Sequence, residues 1–396
     1  MTNNPAGEAG GVPSGTSSRT YDVIVLGLGA MGSAAAYHLA GRGSRVLGLD
    51  GLTPPHDQGS SHGVSRVIRQ AYYEDPAYVP LILRAYELWE ELEQEYGRQL
   101  LFKTGGLMIG PPEGELVRGS TASASHHNLP YELLTAAEVR RRYPVLTPAP
   151  GTVALYEAAA GYVLAEETIR AHLAGAQARG AVLQFEEPVR HWEVTGSGTV
   201  VVTTPRGVYE AGALVVSAGP WAPQVLGTRL PLQVTRQVLY WLDPQGGAEP
   251  FRPEAFPIFA WQFTDNDVFY GFPALEGPQG GVKIAFHTAG EECTPATIRR
   301  TVEEDEVDAL RDALAGRIPA LAEGRLLQTA ACMYTNTPDG HFVLAPHPQY
   351  PQVILATGFS GHGFKFATVV GEITADLALT GATAHPVALF SPQRFG

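Results

Sequence analysis

Cysteine is nearly absent from this 396-residue chain, which holds only Cys293 and Cys332. Two thiols so far apart build neither a disulfide framework nor a four-ligand zinc site, so no metal site is expected. They fit a reducing compartment, where each thiol needs its own explanation. Long apolar runs are missing too: no stretch approaches the ~18 uninterrupted apolar residues of a membrane-spanning helix. Positive charge is scarce, with 27 Lys and Arg against 40 Asp and Glu, a net of −13. That balance excludes a general nucleic-acid binder or a partner for anionic membranes, which need a basic footprint. Local basic pockets stay open. Residues 1–20, MTNNPAGEAGGVPSGTSSRT, carry no apolar or Arg-rich amphipathic segment. They read as a disordered tail rather than a signal peptide, and the chain is expected in the cytoplasm.

The segment after the tail, YDVIVLGLGAMGSAAAYHLAGRGSRVLGLD at 21–50, has the pattern of a βαβ unit. Val23 to Leu26 is a short apolar strand, an Ala-rich helix ends near Gly41 and Gly43, and Arg45 to Leu49 is a second strand. Near-continuous apolar strands suit a parallel sheet covered on both faces. Tyr78 to Gly97 is an amphipathic helix. Residues 205–219 read as turn, strand, turn and another buried strand. Residues 353–380 repeat strand, Gly-rich loop and helix. Segments 101–150 and 225–330 are richer in Pro, aromatics and alternating strands, so parallel and antiparallel parts are interwoven as two domains.

Gly27-Leu28-Gly29-Ala30-Met31-Gly32 follows a strand and opens a helix, and Asp50 stands 23 positions after Gly27 at the end of the next strand. Gly27 permits the tight turn, Gly29 leaves room for a pyrophosphate, and Gly32 lets helix and strand pack closely. The helix N-terminus offers free N–H donors to phosphate, and Asp50 would accept from a ribose. The motif does not choose between NAD and FAD. Two later features favour FAD. Ala218, Gly219 and Trp221 end a buried strand in a small-residue turn, and Gly358, Gly361 and Gly363 lead into a second helix N-terminus, a place to stabilise charge on a reduced flavin. An ordinary loop explains those three glycines equally well. No second GxGxxG occurs, so electrons would leave to oxygen or to a partner protein rather than to NAD(P).

Other residues are ambiguous on pattern alone. In a helix, Arg66 and Arg69 would share a face and invite a carboxylate or phosphate, although a solvated surface helix explains both. In GVKIAFH, Lys283 and His287 point one way with Cα atoms roughly 13 Å apart, and Tyr270 ends the preceding strand. A half-exposed strand with its polar face in water is the simpler reading; a lysine in a partly dry cleft is the alternative. Cys332 reads as an inert buried thiol. Lys365 falls in the first turn of a helix, where a cation opposes the dipole and an anionic ligand would explain it.

The motifs GLGAMG, SSHGVSRVIR, YVPLILRAYELW, YGFP, GVKIAFHTAG, ACMYTNTPDGHF and GFSGHGFKF together resemble the flavoprotein amine oxidases of the monomeric sarcosine oxidase and N-methyl-L-tryptophan oxidase type, within the D-amino-acid-oxidase-like superfamily. The resemblance covers about 21–395. It implies a glutathione-reductase-like, mostly parallel FAD-binding domain (21–98, 155–222 and 335–392) interleaved with an α+β substrate domain on an antiparallel sheet (99–154 and 223–334). It implies covalent FAD, through a thioether from Cys332 to the flavin 8α carbon. Arg69 and Lys365 would hold the substrate carboxylate, and Lys283 would activate oxygen beside flavin N5. His287, Tyr270 and Tyr334 would line the substrate side, with His62, Ser65 and Arg66 near the flavin ring.

The activity so implied is oxidation of a secondary amino acid: hydride-equivalent transfer to flavin, hydrolysis of the imine, and hydrogen peroxide from oxygen. The partners would be a small secondary amino acid and oxygen, with no nucleic acid or membrane, and the chain would be a monomer. N-methyltryptophan, pipecolate or proline are alternative substrates. A dehydrogenase with a partner acceptor and a non-catalytic dinucleotide-binding module are rivals of other classes. Family members commonly have Asp-Thr where Val64-Ser65 stands and an acidic residue where Gly340 stands. The residue that decides side-chain specificity falls within 259–262.

Overall fold

The computed structural model describes residues 19–227, 230–275, 280–288 and 290–396. The expected two-part α/β architecture is present as two eight-stranded sheets and a small three-stranded one. The first sheet has a parallel core. Arg19–Leu26 is flanked by Val46–Leu49 and by Gly207–Val216, with Val182–Gln184 and Val353–Thr357 beyond them. Val46–Leu49 and Val353–Thr357 are buried on both faces, which is why they read as apolar runs. Helix Ala30–Gly41 packs against Ala367–Thr380 and Ala165–Ala178. The first crossing is close because a Cβ on Gly371 would lie 2.6 Å from the Ala34 carbonyl carbon.

Three local expectations need correction. Residues 205–219 do not hold two strands; Gly207–Val216 is one, because it pairs with Arg19–Leu26 along its length. The tail ends sooner than residue 20, since Arg19 and Thr20 already belong to that ladder; residues 1–18 lie outside the described residues. SRVI at 65–68 is a strand, paired antiparallel with Gly161–Leu164, not a helix. Arg66 and Arg69, three apart in extended backbone, therefore cannot share a face.

The second sheet runs Arg325–Asn336, Gln233–Asp243, Gly281–His287, Val268–Leu275, Ile258–Gln262, Gly106–Gly110, Val153–Glu157 and Glu132–Thr135. All neighbours are antiparallel except Ile258–Gln262 with Gly106–Gly110. Helix Val79–Tyr96 ends at Gly97 in the left-handed conformation (φ 72°). Among the described residues no helix is long and apolar enough to cross a membrane.

Candidate active site

The first glycine motif is built as its spacing predicts. Gly27 sits at φ 86°, and a Cβ there would lie 2.6 Å from the Ser217 carbonyl oxygen. A Cβ on Gly32 would lie 1.7 Å from the Gly27 oxygen and 2.5 Å from Ser217 Oγ. Gly29 differs, because a Cβ there would meet only Ser61 Oγ at 3.7 Å. Protein packing does not demand glycine at 29, which leaves that space open to a cavity. Gly29 caps the N-terminus of helix Ala30–Gly41 without a side-chain partner, leaving amides for phosphate.

Asp50 accepts from the Leu28 amide at 2.7 Å and the Leu52 amide at 2.9 Å. Burial raises its pKa and the two amides oppose this. The carboxylate thus braces the glycine turn and keeps lone pairs for a ribose.

These residues open onto a cavity of about 1060 Å³. Gly27, Gly29, Asp50, Ala218, Gly219 and Trp221 line it, with Arg66, Tyr334, Gly358, Gly361 and Gly363. That volume is at the top of the range for small-ligand sites and suits a long dinucleotide. Thr335 Oγ1 and Thr357 Oγ1 are buried without partners, and both residues line the same cavity. The close-approach glycines, the uncapped helix and these orphaned hydroxyls fit FAD.

Cys332 is 2% exposed, with Sγ 3.7 Å from the Ser60 carbonyl oxygen. Burial raises its pKa, but His62 and Arg66 outweigh it and bring the thiol down to about 7. Composition had marked it as inert; its surroundings favour a thiolate. His62 Nε2 and Ser65 Oγ are also buried without partners.

Arg66 donates to the Ser65 and Ser60 carbonyls at 2.9 and 3.0 Å. Lys283 is 3% exposed, not on a wet strand face. Its ammonium donates to the Gly63 and Ser65 carbonyls at 2.7 and 2.5 Å and lies 4.0 Å from the centre of the Phe272 ring. Burial, reinforced by Arg66, puts its pKa well below the usual range.

The other cations gather elsewhere. Arg69 pairs with Glu74 at 2.6 Å and donates to the Ala71 carbonyl at 2.8 Å, between the rings of Tyr72 and Tyr73. Lys365 lies in a 3-10 turn, Phe364–Phe366, just ahead of helix Ala367–Thr380 rather than inside its first turn. It donates to the His362 carbonyl at 2.8 Å and sits 5.2 Å from the centre of the Tyr72 ring. Burial, then Arg69, lowers its pKa to about 7 against the pull of Glu74. For Glu74 burial works upward, but Arg69, His362 and Lys365 bring it to about 2. His287 and Tyr334 are neighbours, ring centres 5.7 Å apart.

The candidates therefore form two stations and a third cluster. Gly27, Gly29, Gly32, Asp50, Ala218, Gly219 and Trp221 build the first. Arg69, Lys365 and His287 build the second, and Tyr334, which lines the cavity, lies beside His287. Cys332, His62, Ser65, Arg66 and Lys283 cluster about the 60–66 turn.

Three residues escaped the sequence reading. Glu166 accepts from the amides of Gly63 and Val64 and holds Val64 at φ 69°, an uncommon conformation for a β-branched residue. Glu157 accepts from the amides of Gln70 and Ala71. Glu74 neutralises Arg69. One composition signal was available: the chain has only three lysines, and two of them, Lys283 and Lys365, are buried here.

A family model described as FAD dependent oxidoreductase matches residues 22–377. The chain is 54% identical over 379 residues to the monomeric sarcosine oxidase of Streptomyces avermitilis, covering 95% of this chain and 98% of that one. It is 34% identical over 381 residues to the N-methyl-L-tryptophan oxidase of Yersinia pestis, covering 95% and 99%. The crystal structure of L-proline dehydrogenase from P. horikoshii superposes with a TM-score of 0.82 at 25% identity, covering 96% of this chain and 98% of that one.

Proposed function

Since the chain belongs to the FAD-dependent oxidoreductases, we propose that it is an oxidase of N-methyl amino acids, with sarcosine as the reference substrate. The observation that carries this reading is the buried carboxylate of Glu74, paired with Arg69 at 2.6 Å beside His362. Against burial, Arg69, His362 and Lys365 bring its pKa down to about 2. A substrate carboxylate of the same charge takes over Arg69 when Glu74 swings aside, and Lys365 becomes its second partner. Anchoring the acid group fixes the rest of so small a molecule, so orientation supplies much of the rate.

FAD, held by the glycine turn, Asp50 and the 218–221 turn, supplies the two-electron acceptor for the amine C–H and returns the electrons to oxygen as hydrogen peroxide. The imine product hydrolyses in water, sarcosine giving glycine and formaldehyde. His287, Tyr270 and Tyr334 line the substrate side. Burial keeps both phenols protonated and His287 neutral at pH 7, so the amine meets no fixed cation there. Lys283, bonded to the Gly63 and Ser65 carbonyls, would serve the reaction with oxygen.

Cys332 would hold the flavin through a thioether: its sulfur would replace one 8α hydrogen, which leaves as a proton, while the flavin ring takes the two electrons and oxygen reclaims them; the lowered pKa of the thiol suits this role. The enzyme works as a monomer in the cytoplasm, a placement supported by two unbridged thiols.

The test is peroxide release in air by the flavin-loaded protein across sarcosine, N-methyl-L-tryptophan, L-pipecolate and L-proline. Sarcosine turns over fastest if the reading is right. Peroxide from none of them, with a reduced dye-type acceptor instead, would make it a dehydrogenase.

A further inference from the structure

Away from the cofactor cavity, the described residues enclose a second recess of about 260 Å³. No residue lines both. The recess stands at the carboxyl ends of Gly106–Gly110 and Ile258–Gln262, the parallel pair of the second sheet. Gly110 and Gln262, the last residues of those strands, line it together with Thr152, Trp261, Phe263 and Arg317.

Arg317 reaches this place because the chain turns back after helix Glu304–Leu314. Gly316 makes the turn at φ 73°. Thr147 then fixes both residues: its amide donates to the Arg317 carbonyl at 2.8 Å and its hydroxyl to the Gly316 carbonyl at 2.9 Å. The half-buried guanidinium donates to the Ala313 carbonyl at 2.9 Å and lies 5.4 Å from the centre of the Phe263 ring.

This cation lacks a counter-charge. Arg69, Arg236 and Arg394 lean on Glu74, Glu306 and Asp339. Among the described residues no carboxylate pairs with Arg317, and burial lowers its pKa with no acid to restore it. A guanidinium stays charged all the same and carries five donors, of which few are used here. Arg140 comes close to the same recess, because it donates to the carbonyl of Pro148, the neighbour of the lining residue Ala149. It too pairs with no carboxylate among the described residues. In a chain of net charge −13 acids are plentiful, so two arginines without one leave room for negative charge from outside.

We propose that this recess binds a small oxyanion, gripped by Arg317, assisted by the Thr152 hydroxyl and drawn in by Arg140. The guanidinium fork matches a pair of oxygens on one centre. Trp261 and Phe263 shelter the contact from water, which strengthens it. The volume falls below that of ordinary small-molecule pockets, so it takes phosphate or a short carboxylate and excludes a nucleotide. The site stands apart from the amine-oxidase reading and depends on none of its residues.

The experiment is a calorimetric titration of the flavin-loaded protein with phosphate, malonate and acetate, each at constant ionic strength. At least one of them binds saturably at this recess; preference for phosphate marks a tetrahedral ligand, and preference for malonate or acetate a carboxylic one. Arg317→Met weakens the preferred anion about tenfold or more, and Arg317→Lys weakens it less. Arg140→Gln has a smaller effect that fades as salt rises. Flavin absorbance per chain shows that each variant is folded. Binding of none of the three anions overturns the site, as does an affinity that Arg317→Met leaves unmoved.

Discussion

The glycine turn and the carboxylate station use opposite means of recognition. At the turn the backbone does the binding: glycines clear the way, amides face the ligand, and the whole device lies within 27–50. At the proposed carboxylate station side chains would do it, and they come from positions as distant as 69, 287 and 365. A backbone-built site must be written in local spacing, because only glycine at fixed steps makes it. A side-chain site is assembled by the fold, and each member looks ordinary where it stands in the sequence.

The most damaging way to probe the first plan is Gly32→Val. Its Cβ alone would collide with the Gly27 carbonyl and Ser217 Oγ, so the protein loses flavin by tenfold or more, read as yellow absorbance per chain. Full flavin content would show that the close approach is not needed.

In the cluster about the 60–66 turn, Lys283→Met removes a buried amine. The oxygen half-reaction slows roughly 10²- to 10³-fold while anaerobic reduction by substrate changes far less, measured by stopped flow. Equal slowing of both halves would take Lys283 out of the oxygen step.

Glu74→Gln separates binding from stability. Arg69 loses its charged partner in a buried setting, a loss of about 3–5 kcal/mol in the free protein. Substrate carboxylates no longer compete with an internal acid, so KM for sarcosine falls even as the melting temperature drops. A KM that rises instead would mean that Glu74 positions Arg69 rather than competing for it. The pair has a defined pH window too. Glu74 is depressed to about 2 when folded, against ~4.3 for an unfolded carboxylate. Its stabilisation is complete above that unfolded value and is lost as pH falls through about 2.

The smallest effect lies far from both stations. His38 and His172 are buried with unpartnered Nε2 atoms, and burial lowers them to about 4 and 3. The unfolded chain takes up protons first as pH drops below ~6.5, so each histidine subtracts stability at up to ~1.4 kcal/mol per pH unit until its folded pKa is reached. His172→Phe flattens the urea midpoint between pH 6 and 4; an unchanged slope would place those imidazoles in contact with water.

The two plans account for what was legible. The βαβ unit, the glycine turn and Asp50 could be read from spacing, and helix Val79–Tyr96 from its periodicity. Arg66 and Arg69 could not, because four residues of strand in SRVI look like a turn of helix until Gly161–Leu164 pairs with them. Lys283 looked wet because Lys, Ala and His alternate on its strand; covering both sheet faces buried it. Cys332 looked inert because its activating neighbours His62 and Arg66 are some 270 positions away. For these residues the family motifs carried information that local patterning lacks.

In the proposed reaction a gripped carboxylate presents a secondary amine to FAD. Anaerobic titration of the yellow protein with sarcosine tests it most directly. The flavin absorbance is expected to bleach to completion with one equivalent of amine, with a much weaker response in Arg69→Met. A spectrum that stays oxidised at saturating sarcosine, or bleaching that ignores Arg69, would contradict it.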